Sequence, residues 1–508
     1  MSTHKGIEFE PGLFPGHPRG LPILFFTEMW ERFSYYGMRA LLILFMTGTT
    51  ISENPGLGFD VVTAGAIYGL YASMVYLLAL PGGWVADQLW GQRKAVFVGG
   101  CIIASGHFSM AVPTQFTFFL GLILIVIGTG LLKPNVSSVV ADLYPEGGAK
   151  RDAGFSIFYM GINVGAFAGP LLCGALGEGF DWQWLSFAGN WHLGFSLAGI
   201  GMVLGLIQFR LGYRSLGNAG KLRTDKTPEA VARLGRRFYG IFAAVVLALV
   251  AYGYLVSNGT ISIALPDIAQ YLAYVILGII GLYFIYVIFY GGHTRDEVKK
   301  VVVIFWLFLL AALFWSGFEQ AGSSLNIFAR DYTDRTLGSW EYAASWLQSV
   351  NALFIVVLAP VFAWFWVWLA NRNANPSVPM KFALGLIGLA AGFFVIAWGA
   401  ANATPDSPVS ASWLIVMYFL HTVGELALSP VGLSAMTKLA PRNRISQMMG
   451  VWFVAAALGN LIAGLVAGQL EGLEPSPLYM RVAVIIGGGG LIALLVSPFM
   501  KRLTGDVK

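Results

Sequence analysis

The stretch TEMWERFSYYGMRALLILF, residues 27–45, places Glu28, Glu31, Arg32 and Arg39 directly before an apolar run, and no further charge occurs from Ala40 to Ile51. An ionisable group at the centre of a membrane helix costs roughly 2.5–3.5 kcal/mol, so four of them facing hydrocarbon would cost on the order of 10 kcal/mol. Their spacing removes the conflict. Glu28, Glu31 and Arg32 stand at i, i+3 and i+4 on one helical face, and Arg39 lies two turns further along. Such a face must look into a polar cavity or at charges on other helices. A helix lying on the membrane surface would keep its charges in water, but LLILF follows without a break and argues for a span.

The rest of the chain agrees. Of 508 residues, 57% are hydrophobic and 11% charged, with a mean hydropathy of +0.70. A soluble chain carries about 25% charged residues. The 63 glycines suit helices packed closely in lipid. The pattern predicts an all-α integral membrane protein with 14 spans, near 20–48, 60–89, 95–113, 116–140, 153–176, 191–212, 238–257, 268–290, 299–327, 341–370, 380–401, 411–438, 445–470 and 477–500. Residues 1–22 hold four prolines and lack the basic and apolar regions of a cleaved signal, so the first span is expected to be retained. Cys101 and Cys173 lie in apolar stretches and build neither a disulfide framework nor a thiolate cluster.

Alternate loops decide the orientation. With the N-terminus in the cytoplasm, only Arg330, Arg335 and Arg481 of the 31 Lys and Arg residues fall outside, and Arg32, Arg39 and Lys133 fall within spans. The others lie inside, so both termini are expected in the cytoplasm. The same distribution reads the net charge of +5 as membrane orientation, not nucleic-acid binding. A basic connector at 213–237 divides six spans from eight. The implied layout is a six-helix bundle over 1–213, a connector with two extra helices over 214–297, and a second six-helix bundle over 298–508. This is the arrangement of a major facilitator fold.

Three more charges sit in apolar surroundings. Lys133, in LIVIGTGLLKPN, needs an anion if it is buried, and Glu28 or Glu31 is the expected partner. Snorkelling to the interface is the plainer alternative. Glu319, in LFWSGFEQAGSS, and Glu425, in HTVGELALSPVG, stand where burial disfavours the charged carboxylate, the property a proton carrier needs. His421 precedes Glu425 by one turn, but a third ligand is missing and no metal site is expected. His107 and His192 read as packing residues. In GGWVADQLWGQRK, residues 82–94, Asp87 faces Arg93 and Lys94 across a tight turn, which suggests a charge lock between two conformational states.

Four stretches together resemble the proton-dependent oligopeptide transporters. They are Glu28-x-x-Glu31-Arg32-Phe33-x-Tyr35-Tyr36-Gly37, Gly128-x-Gly130 through Lys133-Pro134-Asn135, Phe158-Tyr159-x-x-Ile162-Asn163-x-Gly165, and Gly424-Glu425-x-x-x-Ser429-Pro430-x-Gly432. They lie in both halves and in the family's order, and the extra helix pair resembles bacterial members. The resemblance implies a symporter of di- and tripeptides in a bacterial inner membrane, driven by protons, without cofactor or metal, and working as a monomer. It implies that Arg39 and Lys133 receive the peptide carboxylate and that Glu425 anchors its amino group. Asn163 and Asn351 would read backbone amides. Tyr35, Tyr36 and Tyr71, with Trp315 and Trp452, would wall the pocket. Glu28, Glu31, Arg32, Lys133 and Glu319 would couple protons, with Arg39 as the competing partner of Glu319. Animal members place a histidine where this chain has Gly69, so coupling here is expected on carboxylates.

Other classes find less support. A membrane enzyme would need a nucleophile with its base or a metal motif, and neither H-E-x-x-H nor G-x-S-x-G occurs. A channel or structural protein leaves the coupled charges unexplained. Within transporters, nitrate or a drug-like compound is the alternative cargo.

Overall fold

The computed structural model describes residues 13–182, 185–224, 226–260 and 262–504. Fourteen long helices follow one another: α1 (Gly20–Thr47), α2 (Val61–Trp90), α3 (Gln92–Met110), α4 (Gln115–Asp142), α5 (Gly148–Glu178), α6 (Trp191–Leu211), α7 (Pro228–Ser257), α8 (Leu265–Tyr290), α9 (Arg295–Phe318), α10 (Ser349–Asn371), α11 (Val378–Gly399), α12 (Ser412–Leu439), α13 (Ile445–Gly468) and α14 (Pro475–Thr504). Among the described residues, twelve helices are long and apolar enough to cross a membrane by composition alone. The other two are α1, which carries the four charges, and α3, which holds Arg93, Lys94 and His107.

Helix α1 packs on α5 and α6, α3 on α4, and α4 on the end of α2, which gathers the first six helices. Helices α9 to α14 gather in the same way, with α14 against α11, α11 against α12 and α9 against α13. The two bundles meet along α2 with α13 and along α5 with α10, and α8 leans on α2, α9 and α13. The protein is a major facilitator fold of two six-helix bundles with two extra helices between them.

Sequence chemistry explains how charges reach the middle of this assembly. Leu41, Leu42, Ile43 and Leu44 are four successive fully buried residues, so that turn of α1 is enclosed on every side. Glycine permits the enclosure. A Cβ at Gly165 of α5 would lie 2.2 Å from the Met29 carbonyl oxygen, and one at Gly65 of α2 would lie 2.5 Å from the Gly464 oxygen of α13. Gly69 belongs to the same seam, against Leu461 and Gly464.

Two expected spans differ in detail. The ninth was expected as one helix over 299–327, but it leaves α geometry at Phe318, passes through a 3-10 turn over Glu319–Gly322 and resumes as Ser324–Asp331. The tenth starts at Ser349 after a 3-10 turn over Ala344–Gln348. The all-α expectation also leaves out six short strands in the loops: β1 (Phe180–Trp182), β2 (Leu185–Phe187), β3 (Thr333–Asp334), β4 (Thr336–Leu337), β5 (Trp340–Glu341) and β6 (Val409–Ser410). Their sheets run β2-β1-β5-β4 and β3-β6, and the antiparallel pairing of Asp181 with Glu341 ties one bundle to the other. At the same end the Glu178 carboxylate accepts the Ala344 and Ser345 amides at 2.9 and 3.0 Å, and Asn326 Nδ2 donates to the Ala40 carbonyl at 2.8 Å. Arg330 Nη1 donates to Thr47 Oγ1 at 2.8 Å.

Adjacent glycines test the role of close approach. A Cβ at Gly82 would lie 2.0 Å from the Gly130 oxygen, whereas one at Gly83 meets nothing within 4 Å. Gly82→Ala is expected to lower stability by about 1–3 kcal/mol, the usual cost of overpacking. Gly83→Ala should be neutral or stabilising by about 0.5–1 kcal/mol, because alanine suits a helix better. Thermal unfolding in detergent, followed by size-exclusion chromatography, separates the two.

A candidate substrate cavity between the bundles

A cavity of about 310 Å³ opens between the two bundles. Glu28, Arg32, Tyr36 and Arg39 line it from α1, at the i, i+4, i+8 and i+11 positions of one face. Tyr76 reaches it from α2, Lys133 from α4, and Tyr159 and Asn163 from α5. The opposite wall carries Trp315, Phe318 and Glu319 at the end of α9, Gln348 and Asn351 at the start of α10, and Tyr418, His421 and Glu425 from α12.

The charges fall into three arrangements. Arg32 is ion-paired within its own helix, with Nε 3.0 Å from Glu28 Oε1 and 2.5 Å from Glu31 Oε2, all three side chains being buried. Arg39 is paired across the bundles. Its Nη2 lies 2.7 Å from Glu319 Oε2, its Nε donates to Tyr68 Oη at 2.5 Å, and its guanidinium sits near the faces of Tyr36 and Tyr68. The helix break places Glu319 there: α9 ends where Glu319 caps it, and the backbone turns through Gly322, against which Tyr68 Oη packs.

Lys133 is the third case. Its Nζ lies 3.8 Å from the centre of the Tyr76 ring, and among the described residues no carboxylate forms an ion pair with it. In this structure Lys133 makes no direct ion pair with Glu28 or Glu31, both of which lie against Arg32, and its ammonium rests on an aromatic face. Pro134 follows it inside α4 without breaking the helix, and Asn135 Nδ2 donates to the carbonyls of Leu131 at 2.7 Å and Gly82 at 3.3 Å. Across the cavity, Glu425 Oε2 accepts Asn351 Nδ2 at 3.2 Å, and the same amide donates to Thr422 Oγ1 at 2.9 Å. Asn163 Nδ2 donates to the Tyr159 carbonyl at 3.0 Å. The result is a space with cations on one wall and a hydrogen-bonded carboxylate on the other.

Several expected residues lie elsewhere. Tyr35 and Tyr71 are buried behind the lining, stacked on each other with ring centres 6.4 Å apart, and Arg32 sits over Tyr35. Trp452 is packed edge-on against Phe382 and fills the space over Gly432, so it belongs to the core of its own bundle. Glu31 touches Arg32 but not the cavity. Asp87 pairs with neither Arg93 nor Lys94 in this structure, among the described residues. Asp87 Oδ1 accepts Gln92 Nε2 at 2.9 Å, and Lys94 rests on the Trp90 ring. Arg93 donates instead to the carbonyls of Ala219 and Gly217, because the connector backbone offers acceptors at 2.7 and 2.9 Å on its own bundle.

Other lining residues were not expected from sequence. Tyr159 stands one turn before Asn163, and Tyr418 and His421 stand at i−7 and i−4 from Glu425, so helical spacing from known positions would have found them. Gln348, at i−3 from Asn351, was open to the same reasoning, whereas Tyr76 carries no such signal. Trp315 Nε1, Gln348 Nε2 and His421 Nε2 are buried nitrogens of cavity-lining side chains without a hydrogen-bond partner among the described residues.

A sequence profile of the POT family matches residues 93–477. The chain belongs to the POT family. Family members are transporters, and this chain is a transporter, not an enzyme. It is 44% identical to peptide transporter YePEPT of Yersinia enterocolitica, over 97% of both chains. It is 35% identical to the di-/tripeptide transporter of Lactococcus lactis subsp. cremoris, over 97% of this chain and 98% of the other. Among solved structures, a variant of peptide transporter POT in complex with alafosfalin superposes with a TM-score of 0.86 at 38% identity, covering 98% of this chain and 97% of that one.

In this POT chain the Arg39–Glu319 pair carries a testable cost. Removing one member leaves the other charged and buried, which destabilises by about 3–5 kcal/mol. Glu319→Ala and Arg39→Ala should each show a large drop in thermal stability. The double variant should fall by less than the sum, as a double-mutant cycle would measure.

Proposed function

We propose that the chain is a proton-coupled symporter that imports di- and tripeptides across a bacterial inner membrane by alternating access, with both termini in the cytoplasm. The observation that carries this reading is the bipolar cavity. Lys133 presents an ammonium with no carboxylate partner among the described residues from one bundle, and Asn351 holds the Glu425 carboxylate on the other. A zwitterionic peptide has the complementary charges at its two ends. With Arg39 and Lys133 taking its carboxylate and Glu425 its amino group, it bridges the bundles. The proposed pocket also uses Tyr36, Asn163, Trp315 and Asn351, all on the lining. We assign movement to the bundles of residues 1–213 and 298–508 within a single protomer.

Proton coupling is proposed on carboxylates. Glu319 holds Arg39 when ionised; when protonated, it releases the arginine and weakens the contact between bundles. Glu28, Glu31 and Arg32 form the second coupling group beside Lys133. A small anion such as nitrate would satisfy the cationic wall but would leave Glu425 and its amide partner without a role.

Uptake of a labelled dipeptide into proteoliposomes tests the reading. Accumulation is expected with an inward proton gradient and not without one. Glu319→Gln should abolish the driven accumulation and preserve counterflow, which needs binding and movement but no net proton flux. Full driven uptake by this variant would remove Glu319 from coupling.

Competition tests the ends. Capping a peptide terminus removes a charge-assisted hydrogen bond worth roughly 1.5–3 kcal/mol, about ten- to a hundredfold in affinity. Dialanine capped at either end should compete that much more weakly than free dialanine, and Lys133→Ala should reduce the penalty for capping the carboxyl end, the remainder resting on Arg39. Equal competition by capped and free dialanine would overturn the assignment.

A further inference from the structure

Helix α7 stands apart from the body of the protein. None of its apolar stretch is buried, although it runs for 30 residues. It is held at its connector end, where Trp90 Nε1 donates to Tyr239 Oη at 3.0 Å and Lys226 Nζ donates to Gln88 Oε1. Beside this anchor, a cleft of about 480 Å³ separates α7 from the end of α2. Its walls are Trp84 on α2 and Phe238, Ile241, Phe242 and Val245 on α7, with Arg237 at the connector end. The Trp84 and Phe238 rings lie 5.8 Å apart, and Phe238 stacks on Phe242. Arg233, Arg236 and Arg237 are exposed on this turn, and among the described residues none forms an ion pair with an acidic side chain.

We propose that this cleft binds an anionic phospholipid from the leaflet on the connector side. The phosphate takes the Arg237 guanidinium and the acyl chain lies along the aromatic wall. Two features favour this occupant. The groove is apolar along its length and cationic at the level of the headgroups, a distribution that matches one lipid molecule. A second cleft, of about 570 Å³ at the far end of α7 between Phe116, Tyr252 and Leu265, has no charged residue in its lining. The basic end is therefore specific to one leaflet. The bound lipid would fill the space that keeps α7 off the bundle, giving the extra helices a contact with the membrane that the cavity does not supply.

Trp84 reports directly on the cleft. The full chain is placed in phosphatidylcholine vesicles doped with brominated phosphatidylglycerol or brominated phosphatidylcholine, and the Trp84 signal is the difference between wild type and Trp84→Phe. Brominated phosphatidylglycerol should quench it at about fivefold lower mole fraction, the preference expected from one arginine at the membrane surface. Arg237→Gln should bring the two lipids to parity, and Arg223→Gln on the connector should leave the preference intact. Equal quenching in the wild type would mean ordinary annular lipid, and a preference that survives Arg237→Gln would mean a different site. Absence of quenching by either lipid, with crosslinked dimers in the vesicles, would mean that a second copy fills the cleft. Each of these three results overturns the proposal.

Discussion

A guanidinium enclosed by apolar helices needs a counter-ion, and Arg39 finds one in Glu319 on the other bundle, 2.7 Å away. Much of the structure is arranged around that requirement. Helix α1 lies deep enough that Arg39 is buried on the cavity lining, and the α9 helix breaks where Glu319 must reach back towards it. The pair therefore acts as a joint between bundles whose strength depends on the charge of one carboxyl group. Protonating Glu319 removes the attraction but leaves Tyr68 and the Tyr36 face to hold the arginine. A joint of this kind is released by a proton without exposing a bare cation to hydrocarbon, which would be prohibitive.

The other two cationic groups divide the labour differently. Arg32 is neutralised by Glu28 and Glu31 one turn and one residue away, so its charge is balanced before any substrate arrives. Among the described residues Lys133 forms no direct ion pair with a carboxylate and rests on the Tyr76 ring, whose quadrupole supplies a fraction of what such a pair would. A cavity whose least satisfied cation faces a hydrogen-bonded carboxylate across the gap is disposed to bind a molecule with separated charges. The buried nitrogens of Trp315 and Gln348, without partners among the described residues, add donors for the polar atoms between its ends, and His421 Nε2 adds a further polar atom.

Close helix packing makes these charges possible. Gly65, Gly69 and Gly464 bring α2 and α13 into backbone contact, and Gly165 does the same for α1 and α5. The seams run without side chains, so the polar face of α1 is shielded from lipid by whole helices. Helix α7 is the counterexample. Among the described residues it has no glycine seam with the bundle and no buried residue in its apolar stretch, and its surroundings are set by lipid instead of protein.

The amino-acid sequence by itself determined the membrane class, the fourteen helices, the shared face of Glu28, Glu31 and Arg32, and the presence of buried charges in both halves. Those features are local or compositional: hydrophobic length defines a span, and 3.6-residue periodicity defines which residues share a face. Tertiary structure decided which element each face meets. Tyr35 from the first motif and Tyr71 from the second span stack behind the wall, while Tyr76, unmarked in sequence, reaches the cavity. Asp87 and Arg93 are close in sequence, but the fold sets Arg93 against the connector carbonyls and Asp87 against Gln92. Whether Lys133 has a direct partner could not be read from spacing, because Glu28 and Glu31 lie on another helix, where Arg32 also meets them. Helix periodicity specifies direction around one axis, and only the packing of several axes brings particular charges within 3 or 4 Å, where Coulomb attraction in a low dielectric becomes decisive.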